Sequence, residues 1–311
     1  MNSKRTAVIC NPTAGSGLAQ SRWEKFNSKL KTRGLNFHSV FTQYRGHATE
    51  LVRELLKDGF TRICSFGGDG TVNEILQGFV PLNLDAKKDI ELVYLGAGSS
   101  NDFNKKFPDK KDWTEKIVSN DIRSIDICQA EYYTFQGEPE SRYFINNSSI
   151  GVISLAGQYF NDASGLTKKL KQFNVDVGVV TAGLKAIIHY QPLETHLTID
   201  GREEINQLFS NLTIYKTPYF GGGMYFNRSV KQDDGKLAVA LVRYASKLKL
   251  INLIPALYAG TVFEKEVADY LECESLQVHS NQALAIETDG EIVGYPPVRY
   301  SIMKQAIRVV L

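Results

Sequence analysis

The sequence predicts an α/β half followed by an antiparallel β half, and two patterns predict it. Up to about residue 128, short apolar strands alternate with amphipathic helices, as in a parallel sheet built from βαβ crossovers. Beyond it, strand-like runs are punctuated by Asp200-Gly201, Asp234-Gly235 and Asp289-Gly290, dipeptides that favour tight hairpin turns.

In the first half, short apolar runs predict strands at 6–10, 36–41, 63–66, 92–95 and 124–128. Helices are predicted at 18–33, at 48–56 and at 72–79; in the second of these Ala48, Leu51, Val52, Leu55 and Leu56 share one face. In the second half, strands are predicted at 143–150, 195–200, 212–216, 237–242, 276–279 and 283–288. Helical stretches at 166–189 and 247–264 interrupt them. The apolar end, 306–311, reads as a strand able to join either half.

A length of 311 residues favours about two domains. The net charge of +2 gives no global field toward nucleic acid, so no such partner is expected. Cys10, Cys64, Cys128 and Cys273 lie far apart, which suits buried free thiols in a reducing compartment. The apolar run after Lys4 and Arg5 stops at Asn11-Pro12, too short for a secretory signal. The longest uncharged run, at 250–263, contains Pro255 and Gly260. It falls short of the roughly 20 apolar residues that span a membrane. A cytoplasmic protein is expected, with at most peripheral membrane contact.

The chemistry gathers in three turns that follow strands of the first half. They are Asn11-Pro12-Thr13-Ala14-Gly15-Ser16-Gly17, Gly67-Gly68-Asp69-Gly70-Thr71 and Gly96-Ala97-Gly98-Ser99-Ser100-Asn101-Asp102. In a parallel sheet such turns emerge at one edge, where they would share a crevice. Glycines let backbone N–H groups approach an anion. The carboxylate of Asp69 would repel a bare phosphate, so a cation is expected between them. The middle turn therefore reads as a metal–nucleotide phosphate site. It reads equally as a capped connection, with Thr71 as N-cap and Glu74 closing a capping box, and the two readings are compatible. No Gly-Lys-Ser/Thr follows the first turn, which excludes a Walker A loop.

The second half adds Gly221-Gly222-Gly223, either a close backbone approach to a ligand or a bulged hairpin, and Asp233-Asp234-Gly235. Glu291 follows Asp289-Gly290 and precedes Ile292 and Val293. Burial beside that apolar pair would raise its pKa and suit it to act as a base.

Together these motifs resemble the diacylglycerol kinase catalytic-domain family, which includes soluble bacterial lipid kinases and the sphingosine kinases. They occur in order over almost the whole chain, ending with Asp289-Gly290-Glu291. The Gly-Gly-Asp-Gly core alone is shared with NAD kinases; the ordered set is specific. The resemblance implies a three-layer α/β nucleotide-binding domain with a parallel sheet at 1–127, rejoined by 302–311, and an antiparallel β-sandwich lipid-substrate domain at 128–301. It implies ATP contacts at Asn11, Pro12, Thr13, Ala14, Gly15, Thr42, Gly67, Gly68, Asp69, Gly70, Thr71, Val72, Asn73 and Ser99. Glu291 becomes the general base, and a structural Mg²⁺ falls on the Asp234 carboxylate with backbone oxygens of Lys231 and Lys236. Three residues depart from the family pattern. Ser99 stands where threonine is usual, Lys216 replaces an asparagine common before the glycine triplet, and Arg228 falls where proline is usual.

The expected activity is transfer of the γ-phosphoryl group of ATP to a lipid hydroxyl, diacylglycerol-like or sphingoid. Asp69 would hold the catalytic Mg²⁺ and Glu291 would take the proton. The expected partner is lipid at a membrane surface, met by Lys168, Lys169 and Lys171 beside Leu166, Leu170 and Phe173. A homodimer is left open. The rivals are an NAD kinase-like kinase of a soluble substrate and a non-catalytic nucleotide- or lipid-binding homologue. The Gly triplet and the late Asp-Gly-Glu argue against the first, and the joint presence of Asp69, Asp234 and Glu291 against the second.

Overall fold

The structure is a computed structural model that describes residues 4–81, 90–107, 112–162, 175–228, 230–282 and 284–311. The chain forms two compact units, Met1–Ile127 with Lys304–Leu311, and Cys128–Met303. The predicted surface helix around Lys168, Lys169 and Lys171 lies outside the described residues.

The first unit alternates strand and helix. In order it has β1 (Thr6–Cys10), α1 (Leu18–Thr32), β2 (His38–Phe41), α2 (His47–Lys57), β3 (Arg62–Gly67), α3 (Asp69–Phe79) and β4 (Glu91–Gly96). Short helices α4 (Asp102–Lys106) and α5 (Trp113–Lys116) follow, and β5 (Ile122–Tyr133) leads out of the unit. β1 pairs in parallel with β2 and with β3, and β3 with β4. The strand order is thus 2-1-3-4, and residues 308–310 of the last strand add on beside β4, also parallel. In this order the connections from β1 and β3 diverge, and ligands bind at the carboxyl ends of strands at such a switch point.

Burial explains why these runs are strands. Every residue of β1 and β3 is buried, as continuous apolar strands in a covered sheet must be. On α2, Ala48, Leu51, Val52 and Leu55 form the buried face. Trp23 and Phe26 of α1 pack with Phe66 and Trp113 at ring-centroid distances of 5.2–5.9 Å, fixing α1 on the sheet.

A fully buried carboxylate ties the other end of the strands together. Glu91 opens β4, and its oxygens meet Arg62 Nη2 at 2.7 Å and Arg308 Nη2 at 3.2 Å, with Lys4 as a third partner. Arg62 also donates to the Ile117 carbonyl at 2.9 Å. Burial pushes the Glu91 carboxyl up, but Lys4 and Arg62 outweigh it and hold the pKa below its ordinary value.

The second unit is antiparallel. It contains β6 (Pro139–Phe144), β7 (Asn147–Gly151), α6 (Val152–Asn161), α7 (Val175–His189), β8 (Leu193–Ile199) and β9 (Glu203–Tyr215). Then come β10 (Tyr219–Phe220), β11 (Met224–Tyr225), β12 (Leu237–Arg243), α8 (Lys247–Ala259), β13 (Ala268–Cys273), β14 (Ser275–His279), β15 (Ile286–Thr288) and β16 (Glu291–Val310). The strand predicted at 143–150 is two strands, and the segment at 306–311 is the end of the long β16. α6 was not predicted.

Two long strands serve two layers each. The first part of β9 pairs with β8 and its second part with β7 and β12. β16 pairs with β15 near its start and with β14 further on. With β8–β14 and β15–β7 pairing, the ladders run β7-β9-β8-β14-β16-β15 and back to β7. The predicted sandwich is in this respect a closed circuit, because β9 and β16 are long enough to cross from layer to layer. Leu197, Phe209, Ile214, Leu276, Ile286 and Tyr300 are among its core. All four cysteines are buried and free.

Replacing Glu91 by Gln leaves Arg62 buried without its counter-charge. Urea unfolding should show a loss of roughly 3–5 kcal/mol. Because the folded carboxyl sits below its ordinary pKa, this contribution is present at neutral pH and is lost as pH falls through the lowered value. A variant as stable as the parent at neutral pH would refute the role given to this cluster.

Candidate functional site

In the first unit the three predicted turns meet, and glycine makes the meeting possible. A Cβ on Gly98 would lie 2.4 Å from the Gly68 Cα, and one on Gly67 would lie 2.4 Å from Thr71 Oγ1. Gly15, at φ +61, would press a Cβ to 3.1 Å from the Ala97 carbonyl oxygen. Backbone therefore packs on backbone where no side chain fits. Asn11 joins the first two turns, its Nδ2 donating to Thr71 Oγ1 at 3.0 Å. Its Oδ1 accepts from the Thr13 amide and hydroxyl. The Thr42 amide donates to the Cys10 carbonyl at 2.9 Å, which keeps the end of β2 beside the first turn.

Asp69 sits at the start of α3, and its carboxylate reaches the third turn. It accepts from the amides of Asp102 at 3.0 Å and Phe103 at 3.2 Å, capping α4 from 33 residues away. The Tyr94 hydroxyl lies 3.0 Å from Asn101 Oδ1 and 3.4 Å from Asp69 Oδ1. A carboxylate offers about four lone-pair positions. The two amides and the Tyr94 hydroxyl draw on these positions, and a carboxylate is the oxygen donor type that Mg²⁺ takes.

The capping box predicted within α3 does not form. The helix starts at Asp69 with Gly68 as N-cap, and no side chain caps it. Glu74 instead accepts from the Ala48 amide at 3.2 Å, capping α2. Of the amides that open α3, those of Thr71 and Val72 donate to the Gly68 carbonyl at 3.0 and 3.3 Å. Of the remaining predicted contacts, Val72 and Asn73 are fully buried, while Ser99 is exposed. Arg22 of α1 escaped the sequence reading; its Nη1 donates to the carbonyls of Ala97 and Gly98 and braces the third turn. Tyr44 also escaped it, stacking on His47 at 4.5 Å, and its ring is 54% exposed beside Thr42.

In the second unit Glu291 opens β16 directly after a two-residue turn. Asp289 and Gly290 both have positive φ, 46° and 88°, the geometry of a type I′ hairpin. Asp289 is held by its side chain, which accepts from the amides of Ile145, Asn146 and Asn147 at 2.9–3.1 Å. Asn161 Nδ2 donates to the Gly290 carbonyl at 2.8 Å. Glu291 is half-buried. The strongly raised carboxyl is its neighbour Glu287, which burial pushes up to about 8 despite hydrogen bonds from Gly290 and Ser149. Glu287 Oε2 is buried with no hydrogen-bond partner, a role that no local motif marks.

Gly221, at φ 54°, Gly222, at φ 87°, and Gly223 turn the chain between β10 and β11, the hairpin alternative. The residues predicted to bind a structural Mg²⁺ do not fit one. Lys216 Nζ lies 2.8 Å from Asp234 Oδ1 and 2.9 Å from the Lys236 carbonyl oxygen, two of the three expected metal ligands. The Lys236 amide also donates to Asp234 Oδ1, at 3.1 Å. Burial raises the Asp234 carboxyl, yet the Lys216 and Lys236 hydrogen bonds prevail and hold it below its ordinary pKa. Lys231 is exposed. Arg228 lies over the rings of Phe263 and Tyr270, at 5.3 and 5.7 Å.

Comparison with known proteins agrees with this layout. Residues 5–130 match the family model described as diacylglycerol kinase catalytic domain. Residues 150–311, more than half of the chain, match the one described as YegS C-terminal NAD kinase beta sandwich-like domain. The chain is 23% identical to a diacylglycerol kinase of Staphylococcus carnosus (strain TM300), covering 98% of this chain and 94% of that protein. It is 22% identical to a diacylglycerol kinase of Bacillus subtilis (strain 168), covering 99% and 96%. A crystal structure of a diacylglycerol kinase from Bacillus anthracis str. Sterne shares the fold with a TM-score of 0.69 and 20% identity, covering 100% of this chain and 97% of that one. With its glycine turns and its late carboxylate hairpin inside those matches, the chain belongs to the diacylglycerol kinase catalytic-domain family of lipid kinases.

Proposed function

We propose that the protein transfers the γ-phosphoryl group of ATP to a lipid hydroxyl, with Glu291 as general base. The observation that carries this reading is the backbone contact of Gly68 with Gly98 beside the side-chain-free amino terminus of α3. Amide donors held in that geometry suit a phosphate chain. Asp69 would hold Mg²⁺, which when bound neutralises charge on the phosphate oxygens. The lipid oxygen attacks the γ-phosphorus, the bond to the β–γ bridging oxygen breaks, and Glu291 accepts the hydroxyl proton.

The hairpin suits Glu291 to this task. Asp289 is committed to three amides, and Glu287 keeps its proton at neutral pH. The family supports a lipid acceptor over a soluble one, so the NAD kinase-like and non-catalytic readings rank lower.

The acceptor would be met at an anionic membrane surface. No described helix is long and apolar enough to cross a membrane. On the second unit, Leu248 (76% exposed) and Ile251 of α8, Ile188 of α7 and Tyr244 are exposed apolar side chains. Lys247 and Lys249 flank them, and the Lys247 ammonium bonds the Ile188 carbonyl, joining α7 to α8. Apolar insertion plus about 1 kcal/mol per lysine near anionic lipid makes a reversible contact.

Three measurements test these statements. Labelled ATP offered to a panel of lipid hydroxyl acceptors and to NAD should label a lipid; Glu291→Gln and Asp69→Asn should each lower turnover by roughly a hundredfold or more. The Asp102 and Phe103 amides bond different oxygens of Asp69, and Asn at 69 keeps only one of them, so circular dichroism of the variant checks its fold beside the turnover measurement. Near-normal turnover in a folded Glu291→Gln protein removes Glu291 as base. Glu287 binds its proton more tightly in the folded state, so stability should fall as pH rises from about 4.5 toward 8. Glu287→Gln should flatten that slope in urea titrations, and an unchanged slope contradicts the assignment. Sedimentation with anionic vesicles should decline when Leu248 and Ile251 become Ser; equal pelleting with neutral vesicles speaks against this surface.

A further inference from the structure

We propose that Lys216 is a built-in cation that replaces a divalent metal ion at the loop of residues 231–236. The loop carries the oxygens a metal would use, the Asp234 carboxylate and the Lys236 carbonyl. The Lys216 ammonium occupies both, at 2.8 and 2.9 Å. The lysine side chain is 1% exposed, against 25% for Asp234. A charge so deeply buried is stable only when paired and hydrogen-bonded, and here the loop supplies the partners.

Exclusion of a metal follows from distance and charge. A Mg²⁺ ion binds its oxygens at about 2.0–2.1 Å. An ion sharing Asp234 Oδ1 could therefore lie no farther than about 5 Å from Nζ, given the 2.8 Å hydrogen bond. A buried ammonium that close repels the dication and already holds the lone pairs it needs. The Lys216 side chain is enclosed by the fold, and its backbone is fixed at both sides. Its amide donates to the Asn146 carbonyl at 2.9 Å, and its own carbonyl accepts from Gln232 Nε2.

The position of this cation gives it a consequence. Asn146, which accepts from the Lys216 amide, donates its own amide to Asp289 Oδ1 at 2.9 Å. The loop, the end of β9 and the Asp289-Gly290-Glu291 hairpin are joined by consecutive hydrogen bonds within the second unit. Lys216 is thus a positioning residue. It keeps the 231–236 loop on β9 without a dissociable ion.

The test uses the full chain without nucleotide and Mn²⁺ as probe, so it does not depend on kinase activity. Mn²⁺ bound to the parent protein, counted by electron paramagnetic resonance, should equal that bound to Asp234→Asn. The parent Tm should be the same in EDTA and in millimolar Mg²⁺. Lys216→Asn should bind one additional Mn²⁺, and its Tm should fall by several degrees in EDTA and recover with Mg²⁺. One more Mn²⁺ on the parent than on Asp234→Asn, or a parent Tm that drops in EDTA, would overturn the proposal. Should Lys216→Asn not fold, the parent measurements decide by themselves. A vesicle-independent failure to phosphorylate any lipid would count against the kinase reading alone and leave this result untouched.

Discussion

The Gly68–Gly98 approach sets the geometry on which the first unit's chemistry depends. Two turns from adjacent parallel strands share one space here because Gly98 carries no Cβ, which would lie 2.4 Å from the Gly68 Cα; a Cβ on Gly68 would press to 3.3 Å from the Gly98 Cα. Once the turns touch, Asp69 is within reach of the Asp102 and Phe103 amides, and Asn11 within reach of Thr71. The same contact leaves the α3 amino terminus without a side-chain cap. The Asp69 carboxylate in its first turn is the acidic group that the helix dipole favours there.

A second regularity is that three helices are capped from afar, while α5 and α8 take local caps from Asp112 and Ser246. Glu74 caps α2, Asp69 caps α4, and Asn211 Oδ1 accepts from the Ile153 amide at 2.9 Å at the start of α6. Each cap also fixes a tertiary contact, so loss of one acceptor would loosen a helix and its seat together. Side-chain acceptors here serve positioning first, and Asp69 is one of them.

This regularity explains what the sequence could and could not show. β1, β3 and the buried face of α2 were readable because covered strands must be apolar throughout and a covered helix must be apolar along one stripe. The type I′ turns at Asp200-Gly201 and Asp289-Gly290 were readable because positive φ at both positions narrows the choice of residues. α6 was missed since it follows Gly151 with no local cap; its acceptor lies in β9. The break between β6 and β7 was missed for the same reason. Three amides there turn toward Asp289, far away in the chain. The glycine turns of the site were legible as motifs. Glu287 and the partners of Lys216 were not, because burial and charge pairing are properties of the packed chain.

Lys216 also shows how one substitution changes what a loop depends on. A bound ion stabilises the folded chain by an amount that grows with its concentration over its dissociation constant. A lysine in the same role is always present, at the cost of burying a charge in every molecule. The lowered pKa of Asp234 keeps that carboxylate anionic as acid rises, so the pair outlasts an ordinary carboxylate's titration. Fixed charge therefore trades tunability for constancy: the loop and the strand end it rests on lose sensitivity to free divalent ions. On this inference the 231–236 loop adds no metal dependence of its own.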